Sequence, residues 1–118
     1  MRNYFKIFFL FIFFISCSGN NCKDLSQNFH SYSNAINVIQ NSSFTFQDQA
    51  DTSKSSWIKN AEYFSCDNNT GYLIITTKRK KYLFAKVPVS LWEKFKQADS
   101  YGKFYNRYIR NKYQFTLK

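Results

Sequence analysis

The stretch ADSYGKFYNRYIRNKY, residues 98 to 113, interleaves aromatic rings with positive charges. Guanidinium and ammonium groups bind phosphate, sulfate and carboxylate, and exposed aromatic rings stack on nucleic-acid bases. A second run of positive charge precedes this stretch at residues 78 to 81. From both segments we predict an anion-binding surface with seven candidate residues: Lys78, Arg79, Lys80, Lys81, Arg107, Arg110 and Lys112.

The same two segments have a simpler interpretation, which stays open at this point. Consecutive lysines in a hairpin turn also protect a strand edge from aggregation. In the aromatic stretch, four positions repeat at i, i+1, i+4 and i+5, the spacing of one buried helix face: Phe104, Tyr105, Tyr108 and Ile109. By this spacing the four side chains point into the core, and the arginines between them face solvent.

Residues that could catalyse a reaction are few. His30 is the only histidine, and the carboxylates Asp67, Glu93 and Asp99 are isolated along the chain. The sequence has no phosphate-binding glycine loop, no nucleophile motif and no cysteine spacing typical of zinc sites. We therefore predict a protein that is not an enzyme, with no catalytic residue, cofactor or metal.

The positive charge is unevenly distributed. The formal net charge is +10, and residues 67 to 118 hold twelve basic but only three acidic residues. Such a surface attracts polyanions or an anionic membrane at low salt. The alternative is a surface that its lysines merely keep soluble.

The N-terminus has the pattern of an export signal. Arg2 and Lys6 precede the apolar run of residues 7 to 15, which is too short to span a membrane and typical of a signal peptide. The run ends in Phe14-Ile15-Ser16-Cys17, which resembles the lipobox of bacterial lipoproteins. We predict lipidation of Cys17 and anchoring in the bacterial envelope outside the cytoplasm. The alternatives are an ordinary signal peptide or an uncleaved anchor.

Two cysteines remain once Cys17 carries lipid. Cys22 and Cys66 are an even pair in a chain predicted to be exported, which favours a disulfide. The alternative is one buried thiol and one loose thiol.

The elements that would position these residues belong to a small α+β fold. Strands are predicted over residues 57 to 64, 72 to 77 and 82 to 86, joined by Asp67-Asn68-Asn69-Thr70-Gly71 and by the basic turn. They would form an antiparallel three-stranded meander. Two short helices follow, the first over residues 91 to 97 with Ser90 and Glu93 as a capping box.

The segment before the meander is polar and rich in Asn, Gln and Ser. Apolar residues at helical spacing predict an additional helix over residues 24 to 40, with Asp24 near its start. Residues 41 to 54 show no period, and we interpret them as a linker. The predicted organisation is a signal peptide over residues 1–16, a polar tether over 17–52 and a folded domain over 53–118.

The domain resembles a small bacterial family, the KTSC domain. The resemblance rests on Ser55-Ser56, Ile58, Tyr82-Leu83-Phe84, Val87-Pro88, Ala98, Ser100, Gly102, Phe104, Tyr105, Asn106, Ile109, Arg110 and Tyr113. It extends over about residues 53 to 118, and Phe84 departs from it where the family often has tyrosine.

The resemblance implies a domain without an established activity, found alone or at the C-terminus of some lysyl-tRNA synthetases. That association suggests RNA binding. We expect a non-enzymatic, envelope-anchored interaction module that uses its basic face on an anionic envelope component or protein. Nucleic-acid binding is the alternative.

Overall fold

The computed structural model describes Cys22 and residues 29 to 117. Its elements in chain order are α1 (Tyr32–Gln40), β1 (Phe46–Ala50), β2 (Ile58–Ser65), β3 (Thr70–Thr77), β4 (Lys81–Pro88), α2 (Val89–Lys96) and α3 (Tyr101–Phe104). A π-helical turn, π1 (Tyr105–Ile109), continues α3. The fold is α+β, as predicted, while the predicted signal peptide and Cys17 lie outside the described residues.

The four strands form one antiparallel sheet in the order β1-β2-β3-β4. The predicted meander of three strands therefore lacks one strand, because β1 pairs with β2 from Phe46↔Ser65 to Ala50↔Ala61. This strand lies in the segment that we interpreted as a linker, an interpretation that is wrong for residues 46 to 50. The sheet thus begins on the N-terminal side of residue 53.

The two hairpin turns are held by local side-chain hydrogen bonds. Asp67 Oδ1 accepts from the backbone N–H of Asn69 at 2.9 Å and of Thr70 at 3.0 Å, and Asn68 adopts a left-handed φ of 58°. These N–H donors also lower the pKa of the Asp67 carboxyl. Asp67 is therefore the turn residue that the sequence predicted. In the β3–β4 turn, the hydroxyl of Thr77 accepts from the backbone N–H groups of Arg79 and Lys80, both at 3.3 Å.

One face of the sheet packs against α2, α3 and π1, and we call it the helix-pair face. Its inward side chains are Ala61, Tyr63, Leu73, Ile75, Phe84 and Val87, all buried. Trp92 and Phe95 of α2 cover them, and the Trp92 ring stacks on the Tyr63 ring with centroids 5.3 Å apart. This face holds the larger core of the domain.

The opposite face packs against α1, and we call it the α1 face. Phe64, Ile74 and Leu83 point to it from three adjacent strands. Buried residues of the N-terminal segment cover them: Phe29, Ala35, Ile36 and Ile39. The sheet is therefore the middle layer of three, and both of its apolar faces are shielded from water.

The helix that ends at Gln40 begins at Tyr32, later than the predicted start near Asp24. Ser31 is its N-cap, and the Ser31 hydroxyl accepts from the backbone N–H of Asn34 at 3.1 Å. Serine is among the preferred N-cap residues because it satisfies a free N–H of the first turn. The predicted apolar stripe is confirmed at Ile36 and Ile39, which are buried.

The helix α2 starts earlier than its predicted capping box. Pro88 is the N-cap residue and makes no side-chain cap, so Ser90 lies inside the helix. The chain passes directly from β4 into α2, and the backbone N–H of Val89 donates to the carbonyl of Asn69 at 2.8 Å. Glu93 pairs with Lys96 at 3.3 Å instead of capping the helix.

Candidate functional site

An open cleft of about 480 Å³ lies between β4, π1 and the N-terminal end of α1. We call it the basic cleft. Side chains that line it include Tyr32, Trp57, Lys80, Tyr82, Tyr105, Asn106, Arg110 and Gln114. None of the described residues that line this cleft is acidic. The cleft therefore offers two positive charges within a wall of aromatic rings.

Lys80 and Arg110 bring the positive charge to this cleft from segments thirty residues apart. Lys80 ends the basic turn, and its Nζ lies 4.8 Å from the centroid of the Tyr82 ring, a cation–π distance. Arg110 follows π1 directly, and its Nη1 donates to Asn106 Oδ1 at 3.5 Å. Both side chains are exposed, so both can reach a ligand.

The π-helical turn sets the direction of these side chains. The backbone N–H of Arg110 donates to the carbonyl of Tyr105, five residues earlier, at 2.9 Å. Such turns are rare and are often found at functional sites. Tyr108 lies within this wider turn and is 42% exposed, so the prediction that it points into the core is wrong. Tyr105 and Ile109 are buried as predicted.

Tyr105 forms the floor of the basic cleft. Its ring meets the rings of Trp57 and Phe84 edge-on, with centroids 5.6 Å and 5.8 Å away. Burial raises the pKa of the Tyr105 hydroxyl, the nearby Tyr82 raises this pKa further, and the charge of Arg110 opposes both. Tyr105 therefore keeps its proton at neutral pH and can donate a hydrogen bond.

Tyr32 contributes a wall from the opposite side of β4. Its hydroxyl donates to the carbonyl of Leu83 at 3.3 Å and accepts from the N–H of the same residue. Burial raises the pKa of Tyr32, so this hydroxyl also stays protonated. The hydroxyl therefore contacts the outer edge of β4, where the C-terminal segment also pairs through the backbone N–H of Phe115 and the carbonyl of Leu83.

Trp57 separates the basic cleft from a second cleft of about 500 Å³. The second cleft, here called the serine cleft, is lined by Lys54, Ser55, Ser56, Asp99, Ser100 and Gly102 among others. A Cβ atom at Gly102 would stand 2.5 Å from Nε1 of Trp57. A side chain at this position would therefore displace the indole of Trp57.

The hydroxyls of the serine cleft stabilise turns. Ser55 Oγ accepts from the backbone N–H of Ile58 at 3.0 Å, and Ser100 Oγ accepts from that of Lys103 at 3.2 Å. His30 lines neither cleft and is exposed. Within the described residues, no group of His, Cys, Asp and Glu is arranged to hold a metal ion.

Five of the seven predicted anion-binding residues lie outside the basic cleft. Lys78 and Arg79 are exposed at the tip of the β3–β4 turn, and Lys81 Nζ donates to Gln40 Oε1 at 3.1 Å. Arg107 lies over the Tyr108 ring at 5.4 Å, and Lys112 lines a different cleft near Cys66. The structure thus brings together Lys80 and Arg110 and does not gather the rest.

Cys22 and Cys66 lie at disulfide distance, with 2.08 Å between the two Sγ atoms and 5.8 Å between the Cα atoms. The bond attaches the start of the described chain to the end of β2. Loop-closure entropy for a separation of 44 residues corresponds to at most about 4 kcal/mol of stabilisation. Cys17, the predicted lipidation site, lies outside the described residues.

Sequence reasoning missed Trp57 and Tyr82 as parts of the site. Trp57 is 36% exposed although it is a large aromatic residue directly before a strand, and that exposure depends on tertiary structure. The sequence feature that could have identified Trp57 is its position directly after Ser55-Ser56, within the residues that carry the resemblance.

None of the described helices has the length and apolar character needed to cross a membrane. No curated protein and no solved structure matches the chain. The sequence model of the KTSC domain matches residues 54–113. The match extends from the edge of the serine cleft through β2, β3, β4 and both C-terminal helices to π1, and it includes Trp57, Lys80, Tyr82 and Arg110. More than half of the chain is thus matched, and the chain belongs to the KTSC domain family.

Proposed function

We propose that this chain is a lipoprotein of the bacterial envelope whose KTSC domain binds an anionic group in the basic cleft without catalysing a reaction. The observation that carries the binding proposal is the pairing of Lys80 and Arg110 in one aromatic cleft whose lining, among the residues that the structure describes, is free of acidic side chains. The ligand would be a phosphate, sulfate or carboxylate group of a glycan, lipid or protein.

The basic cleft is better suited to an anion than the rest of the basic surface. An ion pair on an open surface contributes little because water and salt screen it. In the cleft, aromatic walls exclude part of that water, and the guanidinium of Arg110 can donate two parallel hydrogen bonds to one anionic group. The protonated hydroxyl of Tyr105 lies at the floor as an additional donor.

The export proposal is supported by the lipobox-like Phe14-Ile15-Ser16-Cys17 and by the cysteine pair. Disulfides persist in oxidising compartments outside the cytoplasm. Fatty-acid labelling of cells tests the anchor: the parent protein should incorporate label, and Cys17→Ala should incorporate none. Equal labelling of both proteins would contradict lipidation of Cys17.

Nucleic acid is the second candidate ligand, because the partly exposed ring of Trp57 lies beside Lys80 and Arg110 in one cleft. One base could stack on this ring while a cation contacts its phosphate. In the ring-rich stretch that first suggested this function, Tyr105 is buried and Tyr108 is exposed. Export of the protein would also keep it from cytoplasmic RNA.

Binding titrations with a sulfated polysaccharide and with single-stranded RNA, each at two salt concentrations, test the site. Lys80→Ala/Arg110→Ala should weaken polysaccharide binding by at least about tenfold, since hydrogen bonds to charged groups contribute about 1.5–3 kcal/mol. The control Lys94→Ala/Lys103→Ala removes the same charge from exposed positions outside the cleft and should change binding by less than about twofold.

Equal losses in both double variants, or no binding by the parent protein, would contradict the proposed cleft. Tighter binding of RNA than of the polysaccharide, lost on Trp57→Ala in a protein that stays folded, would support the nucleic-acid alternative instead.

A further inference from the structure

A third cleft, of about 680 Å³, opens beside Cys66 at the end of the sheet where β2 turns into β3. We call it the cysteine-end cleft. Its lining includes Cys66 itself, two lysines and several aromatic rings; the residues used below are Tyr72, Lys86, Lys112, Tyr113 and Phe115. The mechanism proposed for the basic cleft uses none of these groups.

Lys86 is held in an uncommon backbone conformation at this cleft. Its φ is +58°, a left-handed value that lysine rarely adopts. The cause is a bulge, because β3 pairs through Gly71↔Val87 and then Leu73↔Phe84, which leaves Ala85 and Lys86 opposite Tyr72. Bulges redirect side chains and are frequent beside binding sites. Strain of this kind persists where the surrounding structure imposes it, and it is common at functional positions.

The rings around Lys86 are suited to the boundary between water and lipid. Tyr72, Tyr113 and Phe115 are all partly buried, each with part of its ring open to the cleft. Tyrosine is enriched at membrane interfaces, where its ring contacts the acyl boundary and its hydroxyl contacts water. Lysines beside such rings contact the phosphates of anionic lipids.

One carboxylate also lines this cleft, but it is already engaged. Asp67 Oδ1 accepts from Asn69 N, Thr70 N and the Ser65 hydroxyl, the last at 3.3 Å. Asp67 is exposed, and with Lys86 and Lys112 it leaves the lining of this cleft with a net charge of +1.

The disulfide determines which end of the domain lies near the predicted lipid anchor. Cys17 and Cys22 are five residue steps apart, so their Cα atoms can be at most about 18 Å apart. Cys22 is bonded to Cys66 in the cysteine-end cleft. The other end of the sheet, with the basic turn, lies about 23 Å farther along β3 at the usual rise per residue.

We infer that the cysteine-end cleft docks on the anionic lipid surface of the membrane, with Lys86 and Lys112 contacting lipid phosphates. The inference rests on the proposed lipidation of Cys17 for its location. Docking in this way directs the basic turn and Lys80 away from the bilayer. The basic cleft then remains available to a ligand that is not membrane lipid.

Flotation with vesicles of phosphatidylcholine, with and without phosphatidylglycerol, tests this docking. The protein would be the chain from residue 18 onward, which contains every described residue and the disulfide but neither lipid nor the apolar N-terminus. It should bind only the phosphatidylglycerol vesicles, and millimolar glycerol phosphate should not compete. Lys86→Gly and Lys112→Ala should each weaken binding about fivefold, as expected for one cation at an anionic membrane.

Lys86→Gly should remain folded and melt at a higher temperature than the parent, because glycine adopts the left-handed conformation without strain. Lys80→Ala/Arg110→Ala and Lys94→Ala/Lys103→Ala should bind vesicles as the parent does. Three results would overturn the inference. They are an absence of vesicle binding by the parent protein, binding that Lys86→Gly and Lys112→Ala leave unchanged, and an equal loss of binding in Lys80→Ala/Arg110→Ala. These outcomes are independent of fatty-acid labelling, which tests Cys17 separately.

Discussion

The two faces of the sheet are covered by different parts of the chain. The helix-pair face is covered by Trp92, Phe95, Tyr105 and Ile109, which all lie within the KTSC match at residues 54–113. The α1 face is covered by Phe29, Ala35, Ile36 and Ile39, which all lie before that match. The matched sequence therefore supplies the strands β2 to β4 and one of the two outer layers, and the N-terminal segment supplies β1 and the other outer layer.

The N-terminal segment is therefore part of the folded unit. Without α1, the buried side chains of Phe64, Ile74 and Leu83 would face water, at about 25 cal/mol for each Å² of apolar surface exposed. Phe44 and Phe115, which flank the match on its two sides, extend the same apolar layer. The predicted tether thus includes a layer of the core.

One acidic residue of β1 links the sheet to α2. Asp48 Oδ2 accepts from Trp92 Nε1 at 2.8 Å and from Lys96 Nζ at 2.6 Å. It therefore ties β1, which lies outside the KTSC match, to the helix α2 on the helix-pair face.

The largest effect is expected from the helix-pair face. Trp92→Ala should reduce the free energy of unfolding by about 3–5 kcal/mol, the usual cost of deleting a buried ring. Trp92 is fully buried and stacks on both Tyr63 and Phe95. Urea unfolding followed by circular dichroism measures this loss. A loss below about 1 kcal/mol would show that α2 is not essential to the core.

Truncation of a buried side chain on the α1 face should also destabilise the protein. Ile39→Ala should cost about 2–5 kcal/mol, because Ile39 is fully buried between α1 and the sheet. Ser33→Ala, an exposed change on the same helix, is the control and should stay within about 0.5 kcal/mol of the parent. Equal unfolding curves for the two variants would mean that α1 only rests on the sheet, and the comparison of the two faces would fail.

The smallest of these effects concerns the link between β1 and α2. Asp48→Ala should cost about 1–3 kcal/mol, since it leaves the buried indole N–H of Trp92 without an acceptor. Asp48→Asn should cost less, because its amide oxygen can still accept from the indole.

The same residue predicts a pH dependence. Burial opposes ionisation of Asp48, but hydrogen bonds from Lys96, Trp92 and the backbone of Gln49 outweigh it and lower the pKa of this carboxyl. Its contribution to stability is therefore present above the unfolded-state pKa near 4 and is lost as the pH falls through the lower folded-state pKa. Urea unfolding at neutral pH and at about pH 3 should show a loss in the parent that is smaller in Asp48→Asn. An identical loss in both would contradict the ion pair.

The sequence predicted the parts of the fold that depend on local patterns. The strands β2, β3 and β4 follow from β-branched and aromatic residues, and the turn at Asp67 follows from its side-chain chemistry. The strand β1 was missed although its burial alternates, because the charged Asp48 occupies an inward position. Its partner Trp92 is 44 residues away, so no local pattern reveals why a charge is tolerated there.

The candidate site was predicted less completely, for similar reasons. Lys80 and Arg110 were recognised as basic, but their convergence depends on the packing of π1 beside β4. Tyr108 lies exposed within the π-helical turn, which α-helical spacing cannot predict. The position of Trp57 in the site depends on its packing against Gly102, a contact between residues far apart in the sequence.

The central claim, that α1 is a structural layer of the domain, is tested most directly by removing α1 together with the residues before it. The comparison uses two proteins without the disulfide, and both carry Cys66→Ser. The longer protein starts at residue 18 and also carries Cys22→Ser. The shorter protein starts at residue 42 and keeps β1. The measurement is urea unfolding, with the free energy and its denaturant slope fitted together. The shorter protein should lose several kcal/mol and show a smaller slope, because it buries less surface. The same free energy and the same slope in both proteins would contradict the account.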